Sequence, residues 1–141
     1  MQVGRYGLLI FASGLLSSCG SPEPEPELYP DSLFENLPSS DSGAIADLQG
    51  RWVSEDNITR EIEIAGSDFV RFDEGTEQSR DPMVFVKDCT SGEADPDGGA
   101  FVIREADDRP CFIMDMVTED KLSFINGKRG RVSRFTRKAE E

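Results

Sequence analysis

The chain has 141 residues, 28 acidic and 15 basic side chains, a formal net charge of −13 and no histidine. Phosphate backbones are gripped by clustered lysine and arginine, so this balance argues against a nucleic-acid partner; the acidity serves solubility first and suits a basic protein second. Without histidine the usual general base near neutral pH and the commonest metal ligand are both missing. No serine has a recognisable base and no glycine-rich phosphate loop occurs, so the expectation is a non-enzyme without a cofactor.

In chain order, Arg5 precedes an apolar stretch, YGLLIFASGLL over 6–16, followed by Ser17, Ser18 and Cys19. A positive start, a short apolar centre and small residues before a cut describe a secretory signal. At about 11 residues it is shorter than the 17–25 a membrane-spanning helix needs. Leu16-Ser17-Ser18-Cys19 resembles the lipobox of bacterial lipoproteins. That resemblance implies a signal peptide over 1–18, cleavage after Ser18, a diacylglycerol thioether on Cys19 and a palmitate-type acyl chain on the new amino group. Two or more acyl chains anchor a protein stably, at about 0.8 kcal/mol per buried CH₂. Gly20 stands where enterobacterial lipoproteins kept in the inner membrane carry aspartate, so by that analogy the destination is the outer membrane.

Residues 19–43 continue as SPEPEPELYPDSLFENLPSSDSG after the cysteine and glycine, rich in Pro, Glu and Ser. The expectation is a disordered, acidic, partly polyproline-like tether. The remainder, 44–141, suffices for one modest domain. A single helical turn over 42–48, capped by Asp41 or Ser42, introduces it. Short runs rich in Val, Ile and Phe follow at 51–54, 60–65, 68–73, 83–87, 100–104, 111–117, 122–125 and 131–137, separated by turn-forming Asp, Asn and Gly. The predicted fold is all-β, a small antiparallel up-and-down meander barrel of about eight strands, since closure removes exposed edges.

Gly50 and Trp52, two apart after a short helical turn, resemble the first-strand signature of lipocalins. In that family the tryptophan closes the barrel floor and an arginine late in the last strand stacks across it. The resemblance implies that role for Arg137, with Arg134 second. The order of elements is also similar to small bacterial lipocalin-like lipoproteins: Cys111-Phe112-Ile113, then Leu122-Ser123-Phe124, a turn at Gly127-Lys128-Arg129-Gly130, and Phe135-Thr136-Arg137, within a likeness covering 48–138. It implies binding of a small hydrophobic ligand. Phe101, Phe112, Met114, Met116 and Phe124 are then either core filling or the lining of a shallow cup. Two other readings stay open: a protein-interaction module, such as an inhibitor of a basic cell-wall hydrolase, and a purely structural envelope lipoprotein.

With Cys19 consumed by lipid, Cys89 and Cys111 remain, and two thiols in an oxidising compartment suggest one disulfide. A simple meander opposes this, placing them on opposite rims about 15–20 Å apart at about 3.3 Å per residue. Either the loop over 88–99 folds back, or strand stagger closes the gap, or the strand count is wrong. Glu93, Asp95, Asp97 and Gly98 imitate half a calcium loop, but Arg104 replaces its closing glutamate, so a solvated turn without metal is expected.

Overall fold

The computed structural model describes residues 29–37, 39, 41, 43–105 and 108–139. The expected signal segment 1–18 and the expected lipidation site Cys19 lie outside these. Eight antiparallel strands run in sequence order and close into a barrel: β1 Gly50–Ser54, β2 Arg60–Ala65, β3 Asp68–Asp73, β4 Thr76–Val86, β5 Ala100–Ile103, β6 Cys111–Val117, β7 Lys121–Asn126 and β8 Val132–Arg137. β1 pairs with both β2 and β8, so no strand edge is left open. The barrel is compatible with a lipocalin-like fold.

The strand limits follow the sequence pattern closely except at β4. An expected strand over 83–87 is in fact eleven residues long. Its first half, Thr76-Glu77-Gln78-Ser79-Arg80-Asp81-Pro82, has no apolar alternation and is extended because β3 pairs with it from Asp73↔Thr76 to Asp68↔Pro82, across a bulge after Arg71. Tertiary pairing overrides composition there.

Inside the barrel, alternate residues converge on one core of Trp52, Ile62, Ile64, Phe69, Met83, Phe85, Phe101, Ile103, Leu122, Phe124 and Phe135. A short helix, α1 (Ala44–Leu48), plugs one end with Ile45 and Leu48. Asp41 does not cap it, and Ser42 lies outside the described residues. Gly43 holds the N-cap position, and the Ala44 amide donates to the Pro96 carbonyl of the β4–β5 loop (2.9 Å). A Cβ at Gly43 would stand 2.4 Å from that same carbonyl oxygen, so the close approach of loop and helix requires glycine.

The runs Met83–Val86 and Ala100–Ile103 are apolar without interruption and buried on both faces. Met83, Phe85, Phe101 and Ile103 point inward, while Val84, Val86, Ala100 and Val102 form a second, outer cluster. That outer wall is covered by residues expected to lie in the tether. A 3₁₀ turn, Asp31–Phe34, lays Phe34 against it, and Tyr29 is buried beside it. Tyr29 Oη–H donates to the Cys89 carbonyl (2.7 Å). Burial, and then the charge of Asp88, push the Tyr29 hydroxyl above its ordinary pKa, so it stays a donor. Asp31 takes Nη2–H of Arg109 (2.6 Å) and faces Arg104 at 3.6 Å. The Arg109 hydrogen bond, then the charges of Arg104 and Arg109, hold its carboxyl below the usual range.

Cys89 and Cys111 form the disulfide, with Cα atoms 5.7 Å apart. The opposite-rim geometry does not arise, for two reasons. β5 has only four residues, and its register places Cys111 opposite Val102, two residues from the row Val86–Ala100–Ile113 at which β4 ends. The loop leaving β4 also turns back, pairing Ala94 with Val86 and Gly99 with Lys87. Replacing both cysteines with alanine is expected to lower stability by about 3 kcal/mol, from a cross-link separation of 22 residues. The urea midpoint should fall with the folded far-ultraviolet spectrum retained.

Candidate functional site at the open end of the barrel

The two ends of the barrel differ in kind. At the helix end Trp52 is wholly buried and its Nε1–H donates to the Leu48 carbonyl (2.9 Å). The Arg137 guanidinium lies 4.1 Å from the indole centroid. Its Nη1 and Nη2 donate to the carbonyls of Gln49 (2.8 Å) and Asp47 (3.4 Å), and its Nε donates to that of Glu119 (2.5 Å). One side chain thus ties β8 to the helix exit and to the β6–β7 turn, while a cation–π contact of about 0.5–2 kcal/mol holds the floor. Gly50 has φ +116°, and a Cβ there would meet Arg137 Nη1 at 2.7 Å. Gly50, Trp52 and Arg137 therefore come together as one unit. Arg134, the second candidate, points away on the exposed face of β8.

Above the floor the interior is an aromatic stack. Phe101 is its hub, with ring centroids 6.1 Å from Phe69, 5.7 Å from Phe85 and 5.3 Å from both Phe112 and Phe124. Aromatic pairs of this kind add about 0.5–1.5 kcal/mol each beyond area burial. Phe101 and Phe124 are core. Phe112 and Met114 are half-buried against that core. Met116 does not join them. A register shift between Met114 and Met116 places it opposite Ser123 on the outer face, 42% exposed.

At the far end the packing stops short of the rim. One cavity of about 480 Å³ lies over Phe112 and Asn126, between the β5–β6 loop and the β7–β8 turn. A second, of about 430 Å³, lies over Ile62 and Phe135 between β8, β2 and β3. Arg71 lines both. It sits opposite Ile62, hence on the inner face of β3, with its guanidinium 5.1 Å from the Phe69 ring centroid. Glu105, from the β5–β6 loop, reaches it at 2.6 Å. This ion pair links β3 to the β5–β6 loop at the open end, and Arg71 is the residue that the two cavities share. Chain order gave no hint of it, because Arg71 reads as the solvent-facing member of an alternating strand and Glu105 as one acid in a polar turn.

Near the helix end, Asp95 Oδ1 accepts the Asp97 amide (3.0 Å), a local turn, and no group of three or more metal-binding side chains forms among the described residues. The barrel is therefore a fold compatible with ligand binding, with a closed floor and an open mouth.

Gly50→Ala is expected to cost about 1–3 kcal/mol, from backbone strain and from the collision with Arg137. In an Arg137→Ala background the collision vanishes, so the cost should shrink. A double-mutant cycle by urea denaturation measures that coupling. No family model, curated protein or solved structure matches this chain.

Proposed function

We propose that this is a non-catalytic, lipid-anchored envelope protein, held at the outer membrane by acylated Cys19, whose barrel binds a small apolar molecule at its open end. The observation that carries the reading is that the open-end cavities reach core side chains, whereas those of about 600 and 480 Å³ at the helix end are lined by residues such as Gly50, Arg51, Asp47 and Glu119 and touch no phenylalanine. Trp52 and the phenylalanine stack fill the lower interior, yet cavities of about 480 and 430 Å³ open above them onto Phe112, Ile62 and Phe135. Small-molecule sites are concave, about 300–1,000 Å³, and pair an apolar wall with a few polar groups. A barrel meant only as a spacer gains nothing from stopping its core short of the rim.

The anchor rests on the lipobox-like Leu16-Ser17-Ser18-Cys19. The net charge of −13 disfavours peripheral adhesion to anionic lipid, so membrane attachment would depend on the acyl groups.

Two measurements test the two halves. Metabolic acyl labelling should mark a processed chain, and Cys19→Ser should abolish both label and processing; a processed Cys19→Ser chain with unchanged membrane partition overturns the anchor. Native mass spectrometry of the protein taken from its own envelope should show a co-purifying small molecule. A bare mass, or a bound protein instead, overturns the carriage reading.

A further inference from the structure

The cavity over Phe112 carries more than an apolar wall. Arg71, Arg109, Lys128 and Arg129 line it against only Glu105 and Asp108, a cationic excess in a chain whose net charge is −13. Arg109 is engaged elsewhere, with Asp31. Lys128 and Arg129 form no ion pair among the described residues, while their amides are fixed by Asn126 Oδ1 (3.0 and 2.9 Å). Arg71 projects from a barrel strand into the throat, and its carboxylate partner Glu105 comes from a loop, held there by its amide's bonds to the carbonyls of Ile103 (3.2 Å) and Asp108 (3.1 Å).

We propose that this cavity takes an amphiphile with a carboxylate or phosphate head, that Arg71 is the anchor for that head, and that Glu105 is an internal stand-in which the ligand displaces. The proposal rests on the reading of the mouth as a ligand site and names the ligand's chemical class. Guanidinium is suited to both head groups, because its planar fork donates two parallel hydrogen bonds to paired oxygens. Phe112, half-buried and stacked on Phe101, offers the chain an apolar surface beside that fork. Lys128 and Arg129 stand at the rim, where they raise the local concentration of anions against the repulsion of the rest of the molecule. The Arg71–Glu105 pair sets the affinity. While Glu105 occupies Arg71 the binding-competent fraction is reduced, and the apparent dissociation constant rises by the inverse of that fraction.

The test is a calorimetric titration of octanoate, octyl phosphate, octanol and inorganic phosphate into the full chain held in phosphatidylcholine nanodiscs, with empty nanodiscs subtracted. Octanoate and octyl phosphate are expected to bind at least about tenfold more tightly than octanol or inorganic phosphate. Arg71→Gln should remove that advantage, bringing octanoate and octyl phosphate to the affinity of octanol measured in the same variant, and Glu105→Gln should tighten octanoate about fivefold. Thermal melts confirm that both variants fold, and the gain expected for Glu105→Gln is not a result that misfolding gives. Equal binding of octanol and octanoate, or an unchanged octanoate affinity in Arg71→Gln, overturns the anionic-head assignment and leaves the apolar site standing. Inorganic phosphate binding as tightly as octyl phosphate overturns the amphiphile in favour of a free-anion site. No binding by any probe overturns both this proposal and the ligand-site reading beneath it.

Discussion

A guanidinium resting on an indole joins the last strand to the first. Trp52 cannot be buried in the floor of the barrel unless something satisfies its ring face and its N–H, and Arg137 and the Leu48 carbonyl supply these. Arg137 in turn needs acceptors, which are the carbonyls of Gln49, Asp47 and Glu119 at the ends of other elements. The helix exit, the β6–β7 turn and both edges of the closing seam are thereby fixed in one place. Gly50 is the cost of that arrangement, since a side chain there would stand where the guanidinium lies.

From that closed end the structure loosens upward. The phenylalanine stack continues the core for most of the interior, then yields at the rim to open space lined by the Arg71–Glu105 ion pair. A small barrel can fill its interior or leave room in it. This one packs its floor end with the tryptophan and phenylalanine core and leaves space beside its rim.

Most of the strand order was legible because barrel strands advertise themselves by alternation, as Ile62 and Ile64 between Glu61 and Glu63 do. The Gly50, Trp52, Arg137 unit was legible through the resemblance to lipocalins, which implied an arginine late in the last strand as the partner of Trp52. The first half of β4 was not, because Thr76 to Pro82 is polar and its conformation comes from β3. Docking of Tyr29 and Phe34 was hidden by the surrounding Pro and Glu, although the unbroken apolar runs of β4 and β5 carried a clue: a strand apolar on both faces needs cover on both. Arg71 could not be told from a surface arginine without knowing which face of β3 turned inward. The bulge beyond Met114 likewise decides that Met116 faces out, and no local pattern announces it.

The clasp formed by Tyr29, Asp31 and Phe34 also determines how mechanical load enters the molecule. Tension arriving along the chain from before Tyr29 is delivered sideways to the β4–β5 wall, where Cys89–Cys111 staples the loop, before any of it reaches α1 or β1. A pull applied ahead of Tyr29 is therefore met at the outer wall and not at the floor seam.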